Sequence, residues 1–494
     1  MPKIKNLPIR LLLAVFAVDV LVMIVELCAS YLAYPYFGNA QAVWIAIITM
    51  ILLGNSIGNI LGGKLSQKAQ KTGRNYISTA FIIAGMCISL VLLLSDKLFP
   101  TLTSFIHSST LSALIGSLLL FLPCTICFGT ISPQVMYAIS QKENYTGETT
   151  GLIYALSTIG GLCGTLIGGF ILIPLIGCRT ILIVCIIAAT VIGIVELSSK
   201  KELKAAGCIT VSAICIIVSI MSQIQSSNWE TRPYGSATFD SQYNRITIQN
   251  YTEENGSPAR AMSMASGFES ATYLDENRYE LIFDYLKTYD KYTLQNVNQP
   301  INTLLIGGAA FQYPKYVLSH YENARIDVAE IDSEVVRLAK KYFFLQECID
   351  SYDKMGERMD IHIEDGRKYV ETTAQTYDVI YNDAFSGDTP PATLTTAQFI
   401  SLVKNKLSPN GIYAINIIDK SDTENAKWLK AECFTLSQYF KNIYIVQNHP
   451  LNERTNYVVF ATDANIDIAE AINLDYSDGI LLTDNYHPID SLIQ

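Results

Sequence analysis

The stretch Asn302-Thr-Leu-Leu-Ile-Gly-Gly-Ala-Ala310 decides the fold of the second half of this chain. Its hydrophobic run predicts a buried strand, and the small residues after it let a ligand approach the backbone before the next helix begins. This signal is weak alone, so the segments around it must support the same interpretation.

Strands and helices are predicted to alternate through most of the following 160 residues. The predicted strands are 302–306, 325–331, 359–363, 377–382, 411–418, 442–447 and 455–461, and the predicted helices are 313–320, 333–344, 396–407 and 423–439. This alternation predicts a doubly wound, mainly parallel sheet, a Rossmann-like α/β fold whose ligand lies at the carboxyl ends of the strands. Before it, residues 235–275 predict a small antiparallel β platform.

Acidic residues follow two of these strands. Glu330 comes 22 residues after Gly308, a spacing at which a carboxylate accepts hydrogen bonds from ribose hydroxyls. Asp332 is as good a candidate for the N-cap of the next helix. Asp365, followed by Gly366, could accept from an adenine amino group or could also be an N-cap.

A fourth strand, Tyr377-Asp-Val-Ile-Tyr-Asn-Asp383, also ends in an acid. A carboxylate at this place can orient an amine nucleophile and take its proton. The predicted sites therefore all fall at one edge of one sheet.

The first half of the chain has a different composition. Half of the 494 residues are hydrophobic, 16% are charged and the mean hydropathy is +0.26, which excludes a disordered chain and an ordinary soluble enzyme. Residues 1–224 carry 13 Lys and Arg against 7 Asp and Glu, whereas the remainder carries 22 against 38. We therefore predict a multi-pass membrane domain over 1–224, a linker and small β subdomain over 225–300, and the Rossmann-like domain over 301–494.

Seven membrane spans are predicted, near residues 9–30, 42–63, 77–95, 110–130, 151–176, 180–198 and 206–224. Eleven basic residues fall at the N-terminus and in alternate loops, against two in the others, so the N-terminus is predicted to be cytoplasmic. Seven spans would leave the acidic half outside the cell membrane, and six would leave it inside.

Two acids, Asp19 and Glu26, lie seven residues apart on one face of the first span. They raise a proton or cation pathway as a hypothesis, with a structural contact to a neighbouring helix as the alternative. Glycines at small-xxx-small spacing in the second and fifth spans, including Gly58 and Gly62, predict close helix packing.

Other signals point to no separate chemistry. Nine of the eleven cysteines lie in the membrane half, and Cys124-x-x-Cys127 has no second pair, so no metal site is predicted. Among the five histidines, His487 could touch the site, although a surface position is the alternative. The acidic half has no basic patch, which argues against nucleic acid, and its charge would favour a cationic substrate such as an amine.

Taken together, the motifs resemble the spermidine synthase (polyamine aminopropyltransferase) family, in the version fused behind a multi-pass membrane domain. The resemblance rests on Leu305-Ile-Gly-Gly308, Ala329-Glu-Ile-Asp-Ser-Glu-Val-Val-Arg-Leu-Ala-Lys-Lys-Tyr-Phe343, Glu364-Asp-Gly-Arg367, Tyr377-Asp-Val-Ile-Tyr-Asn-Asp-Ala-Phe-Ser-Gly387 and Leu482-Thr-Asp484, with Tyr34-Pro-Tyr-Phe-Gly38, Ser132-Pro133 and Tyr154-Ala-Leu-Ser-Thr-Ile-Gly160 in the membrane half.

The resemblance implies transfer of an aminopropyl group from decarboxylated S-adenosylmethionine to a diamine such as putrescine, without a metal. Carried over by position, Glu330 would hold the ribose and Asp365 the adenine, and Asp383 would be the catalytic acceptor for the attacking amine. The same comparison gives Gly307, Gly308 and Gly366 to the nucleotide site, and Asn244, Glu269 and Tyr279 to the amine substrate.

The chain departs from the family mainly in the amine half of the pocket. Ala310 replaces an acid, Asn244 and Glu269 replace glutamines, Glu280 replaces a histidine, and Ser386 replaces the second acid after Asp383. A different amine, or methyl transfer from S-adenosylmethionine, therefore stays open. A transporter or sensor of amines with a nucleotide-binding regulatory domain, and a catalytically silent binding module, are the other hypotheses; a homo-oligomer is possible.

Overall fold

A computed structural model describes the chain except residues 1–7, 38–40, 73–75, 107, 142–146, 197–212, 214–216, 218–225, 242, 265–267, 296, 386–389, 449–452 and 493–494. The chain divides into two compact units. The first comprises Met1–Asn228 with Thr238–Arg245, and the second comprises Trp229–Ala237 with Ile246–Gln494.

The first unit is built from apolar helices. They are α1 (Ile9–Phe37), α2 (Gln41–Thr72), α3 (Tyr76–Phe105), α4 (Ser109–Leu120), α5 (Leu122–Gly129), α6 (Ile131–Ser140), α7 (Gly147–Leu166), α8 (Ile173–Ile176) and α9 (Cys178–Val195), with a π-helical turn, Ile167–Leu172, between α7 and α8. Among the residues that the structure describes, six helical segments are long and apolar enough to cross a membrane. The predicted span 110–130 differs in detail, because the chain there forms the two consecutive helices α4 and α5, and α6 begins directly after it.

The seventh predicted span, 206–224, lies almost entirely outside the described residues. The side of the membrane on which the second unit lies therefore stays a prediction. Within α1, Asp19 and Glu26 are both partly buried, and neither forms an ion pair among the described residues.

The glycine spacing of the second span does produce close helix packing. A Cβ atom at Gly62 would lie 2.5 Å from the carbonyl oxygen of Thr130 and 2.9 Å from its Cα. The neighbouring Gly63, by contrast, has no atom within 4 Å of that position. Only backbones that approach closely need glycine at such a contact, so the packing prediction is confirmed.

The structure contains the predicted antiparallel platform. Its four strands are β1 (Ser236–Asp240), β2 (Arg245–Thr252), β3 (Pro258–Ser263) and β4 (Ser270–Tyr273), and they lie in the order β1-β2-β3-β4. The platform is followed by the helix α10 (Asp284–Thr293), which buries Tyr285 and Tyr289 one turn apart.

The main sheet has eight strands, β5 (Ile301–Ile306), β6 (Ala324–Glu330), β7 (Met359–Ile363), β8 (Tyr377–Asn382), β9 (Leu407–Lys420), β10 (Asn442–Gln447), β11 (Arg454–Thr462) and β12 (Ala471–Ile472). Their order is β12-β10-β11-β9-β8-β5-β6-β7. Strands β7, β6, β5, β8 and β9 are parallel to one another, and β11, which pairs antiparallel with β9, continues the sheet with β10 and β12 in antiparallel pairs. The predicted Rossmann-like fold is therefore confirmed.

Helices connect these strands and cover both faces of the sheet. They are α11 (Gln312–His320), α12 (Ser333–Tyr342), α13 (Leu345–Tyr352), α14 (Gly366–Thr372), α15 (Ala397–Lys406), α16 (Lys427–Ser437) and α17 (Ile489–Leu492). Two buried hydrophobic clusters result, one containing α10 and α11 and the other containing α15 and α16. Because β5, β6, β7 and β8 are parallel, their carboxyl ends meet at one edge of the sheet.

Candidate active site

Asp383 lies directly after β8, between two hydrogen-bond donors. The hydroxyl of Tyr285 donates to Oδ2 (2.9 Å), and the amide Nδ2 of Asn416 donates to Oδ1 (2.9 Å). Burial raises the pKa of Asp383 to about 7, although both donors favour the charged form. A carboxyl group with this pKa can accept a proton from an amine near neutral pH.

Asn416, on β9, is itself held in place by a second amide. Nδ2 of Asn456, on the neighbouring strand β11, donates to Oδ1 of Asn416 (2.8 Å). This bond fixes the amide orientation, because the oxygen of Asn416 is occupied and its nitrogen faces Asp383. Neither Tyr285 nor Asn416 was identified from the sequence; a polar residue within the hydrophobic run of β9 was the available signal.

Glu330 ends β6 and is only 7% exposed. Its Oε2 accepts from the backbone N–H of Gly308 (2.8 Å), and its Oε1 accepts from that of Asp332 (2.9 Å). Burial raises the pKa of Glu330, and these backbone donors oppose that rise. The Glu330 carboxylate therefore binds the backbone of the loop that follows β5, at the carboxyl edge of the sheet.

The loop after β5 approaches the end of β8 closely. Gly307 has φ of +92°, and a Cβ atom there would lie 2.7 Å from the carbonyl oxygen of Asp383. Glycine is thus required both by its backbone conformation and by the available space. The structure brings Gly307, Gly308, Glu330 and Asp383 together at the sheet edge, as predicted from their positions after strands.

Asp365 and Asp332 both cap helices. Oδ1 of Asp365 accepts from the backbone N–H of Lys368 (2.9 Å), and Oδ1 of Asp332 accepts from that of Glu334 (2.9 Å). The capping alternative is therefore confirmed for both residues. Gly366 is buried, and a Cβ atom there would collide with the side chain of Ile306.

Arg367, at the start of the same helix, forms a bidentate ion pair with Asp484. Its two terminal nitrogens lie 2.7 and 2.6 Å from the two carboxylate oxygens. The hydroxyl of Thr396 also donates to Asp484 (2.7 Å). Two of the motifs on which the resemblance rests are thus in direct contact.

The predicted amine-binding residues are less closely grouped. The carboxylate of Glu269 accepts a hydrogen bond from the backbone N–H of Met264, and its negative charge contributes to the raised pKa of the Tyr285 hydroxyl. The hydroxyl of Tyr279 donates to Glu347 (3.2 Å), and Glu280 is paired with His320 (3.1 Å) rather than with any residue around Asp383. Their roles in binding an amine stay predictions.

Three further residues of the sequence analysis lie elsewhere or outside the description. Asn244 belongs to the first unit, where its backbone oxygen accepts from the hydroxyl of Ser241 (3.0 Å), and its assigned role stays a prediction. Ser386 lies outside the described residues. His487 is half-buried, with Nε2 2.7 Å from the hydroxyl of Thr395.

Among the residues that the structure describes, no group of three or more His, Cys, Asp or Glu side chains is placed to hold a metal ion. The arrangement is that of an α/β domain in which a buried carboxyl group lies beside a glycine loop, at the carboxyl ends of the parallel strands. Open α/β sheets bind their ligands at this edge, and a carboxyl group there can exchange a proton with a bound group.

Comparison with known proteins defines this class further. Residues 282–467 match the spermine/spermidine synthase domain, which bears out the resemblance drawn from the motifs. The chain is 24% identical to a polyamine aminopropyltransferase of Oceanobacillus iheyensis, over 83% of this chain and 78% of that protein. It is 30% identical to a polyamine aminopropyltransferase of Prochlorococcus marinus strain AS9601, over 31% of this chain and 51% of that one.

Among solved structures, the chain is similar to the crystal structure of spermidine synthase from Thermotoga maritima. The two share 20% sequence identity and superpose with a TM-score of 0.35, over 47% of this chain and 73% of that chain.

Proposed function

We propose that the protein transfers an aminopropyl group from decarboxylated S-adenosylmethionine to an amine, at a site built around Asp383. The observation that carries the proposal is the Asp383 carboxyl group, held by Tyr285 and Asn416 beside the glycine loop. The domain match over residues 282–467 and the aminopropyltransferase relatives support the same reaction.

Each group has a role in this reaction. Glu330 would accept hydrogen bonds from the ribose, and the loop at Gly307 and Gly308 would let the nucleotide approach the backbone. The amine nitrogen attacks the methylene carbon next to the sulfonium, the carbon–sulfur bond breaks, and its electron pair stays on sulfur in methylthioadenosine. Asp383 takes the proton that the nitrogen loses, so the protein mainly aligns the amine and removes a proton.

Methyl transfer from S-adenosylmethionine is the second candidate, since the nucleotide half of the site suits both donors. In the described part of the chain, six helical segments are long and apolar enough to cross a membrane, and they suggest that the enzyme is anchored there. A tag-accessibility assay at the C-terminus tests on which side of the membrane the site lies.

The test is isotope-traced turnover by the purified full-length protein. Decarboxylated and ordinary S-adenosylmethionine are offered in parallel with a panel of diamines, and products are identified by mass spectrometry. An aminopropylated amine together with methylthioadenosine supports the proposal; a methylated product, or no product with any donor, overturns it.

Asp383→Asn tests the assigned role of the carboxyl group. We expect turnover to fall by about 10²–10⁴-fold, with nucleotide binding nearly unchanged. Asp378→Asn is the matched control, because Asp378 lies at the other end of β8, where it accepts from the backbone N–H of Asn302. Equal turnover in the Asp383 variant and the wild type would remove the role.

A further inference from the structure

Two amide side chains form a chain of hydrogen bonds that ends at Asp383. Nδ2 of Asn456 donates to Oδ1 of Asn416 (2.8 Å), and Nδ2 of Asn416 donates to Oδ1 of Asp383 (2.9 Å). In the antiparallel register Asn456 lies opposite Ile418, two positions along β9 from Asn416, so the two amides are diagonal neighbours on one face of the sheet. Both amides therefore point their nitrogens towards the carboxyl group.

The opposite orientation of the Asn416 amide would favour the wrong form of Asp383. If the amide turned over, its oxygen would repel an ionised carboxylate and would accept a hydrogen bond from a protonated one. A hydrogen bond to the neutral form raises the pKa of a carboxyl group. The turned amide would also bring the nitrogen of Asn416 against Nδ2 of Asn456, where two donors would meet. Asn456 therefore disfavours the orientation that keeps Asp383 protonated.

Asn456 is itself connected to the other donor of Asp383. Its backbone carbonyl accepts from the backbone N–H of Asn448 (3.0 Å), and Oδ1 of Asn448 accepts from the hydroxyl of Thr288 (3.0 Å). Thr288 lies on α10, one turn after Tyr285, which donates to Asp383. Contacts that bypass the carboxyl group thus join its two donors, so β11 and α10 are held in place together.

The titratable groups around Asp383 leave its protonation to burial and to these two donors. Tyr285 and Tyr289, both on α10, are the titratable side chains that interact with it, and burial raises the pKa of each hydroxyl, so both stay neutral. Glu269 acts on Tyr285, and the loop after β5 presents the backbone of Gly307. Among the described residues, no basic side chain contributes to the pKa of Asp383, and β9 and β11 present amides to it.

We propose that Asn456 is a positioning residue for the reaction, because it fixes the Asn416 amide with the nitrogen towards Asp383 and so keeps that carboxyl group ready to accept a proton. The inference rests on the proposed function. It assigns a role to a side chain that does not contact the carboxyl group directly. Because Asn456 acts through Asn416, its effect should disappear when the Asn416 amide is removed.

The dependence of kcat/KM on pH in the full-length protein provides the first test. In Asn456→Leu the Asn416 amide can turn over and accept from protonated Asp383. The rise of kcat/KM should therefore move to higher pH by about one unit, with the plateau little changed. Asn456→Asp keeps the size of the side chain and should move the rise at least as far. An unshifted profile in Asn456→Leu, or in Asn456→Asp if the leucine variant does not fold, would overturn the proposal.

A double-mutant cycle separates this role from simple packing. In an Asn416→Leu background, Asn456→Leu should cause no further shift of the profile. An equal shift in both backgrounds would show that Asn456 does not act through Asn416, and the proposal would fail.

Asn442→Leu is the matched control. Asn442 is also half-buried, and its amide donates to the carbonyl of Ala464 (2.9 Å) at the start of β10. Its profile should coincide with that of the wild type. A shift as large as that of Asn456→Leu would mean that the loss of any such amide has this effect, which would also overturn the proposal.

An infrared titration keeps the inference separate from the proposed reaction. It follows the protonated carboxyl band of the full-length protein that is absent in Asp383→Asn, and it needs no turnover. The midpoint of this band should lie at higher pH in Asn456→Leu than in the wild type. A shifted midpoint in a protein that forms no product would support the inference and refute only the reaction. Equal midpoints would overturn the inference whether or not a product forms.

Discussion

The hydroxyl of Tyr285 donates a hydrogen bond to Oδ2 of Asp383, although the two residues are 98 positions apart in the sequence. Tyr285 lies on the helix that precedes the main sheet, and Asp383 follows the fourth of its strands along the chain. A helix outside the sheet therefore affects the pKa of the Asp383 carboxyl group, and the ionisation of that group depends on how the helix packs.

Tyr285→Phe should shift the pH dependence of turnover. The hydroxyl stabilises charged Asp383, so its removal raises the pKa of that carboxyl further above its ordinary range. Because the ionised form accepts the proton, kcat/KM rises with pH through about 7, and the variant should need a higher pH to reach its plateau. Rate profiles from pH 5.5 to 9.5 measure this.

The control for that profile is Tyr292→Phe, on the same helix, whose hydroxyl donates to the exposed Glu470 (3.0 Å). In the Tyr292→Phe variant, kcat/KM should rise with pH over the same range as in the wild type. A Tyr285→Phe profile that also coincided would show that this hydrogen bond does not set the pKa of Asp383.

Glu330→Gln should weaken nucleotide binding. The variant keeps the size of the side chain but loses a charged acceptor for ribose hydroxyls, and hydrogen bonds to charged groups contribute about 1.5–3 kcal/mol. Titration calorimetry with methylthioadenosine should therefore show an affinity about 10-fold to 150-fold lower. Asp360→Asn, an exposed acid on the next strand, should bind as the wild type does; equal binding by both variants would refute the ribose role.

Lys315 should make stability depend on pH. Its ammonium is completely buried, burial lowers its pKa to about 7, and Nζ donates to the hydroxyl of Thr272 (3.1 Å) and the carbonyl of Phe343 (2.6 Å). Between about pH 7 and 10 the unfolded chain binds one more proton than the folded chain at this group, so stability rises with pH by up to about 1.4 kcal/mol per unit.

Lys315→Met should remove that contribution to the slope. Guanidinium titrations of the full-length protein in detergent, from pH 7.5 to 9.5, measure it through tryptophan fluorescence. Lys340→Met, at an exposed position, should leave the slope as it is. A slope unaffected by Lys315→Met would mean that the buried lysine keeps its ordinary pKa.

Gly62→Ala and Gly63→Ala form a matched pair in the first unit. The added methyl group at Gly62 would collide with the backbone of Thr130, at a cost of about 1–3 kcal/mol, whereas the group at Gly63 meets no atom within 4 Å. The first variant should lower the melting temperature in detergent, and the second should leave it unchanged or raise it. Equal melting temperatures would contradict the close contact.

The sheet and its ligand edge could be predicted because hydrophobic strands of five or six residues end in small or acidic side chains. Glu330, Gly307 and Asp383 were found for this reason, since the parallel strands carry them to one edge. Periodicity also predicted the long helices of the first unit, although it could not show that residues 110–130 form two short helices, α4 and α5.

The partners of Asp383 could not be predicted in the same way. Tyr285 and Asn416 reach it from a helix and a strand elsewhere in the sequence. Although Asn416 is a polar residue within the hydrophobic run of β9, neither local pattern indicates that the side chain contacts Asp383.

The bidentate pair of Arg367 and Asp484 has a consequence for biosynthesis. During translation the guanidinium group of Arg367 emerges 117 residues before the carboxylate that holds it. The ion pair therefore cannot form until residue 484 has left the ribosome. The contact between these two motifs is thus a late event in the synthesis of this domain, later than the capping of the helix by Asp365.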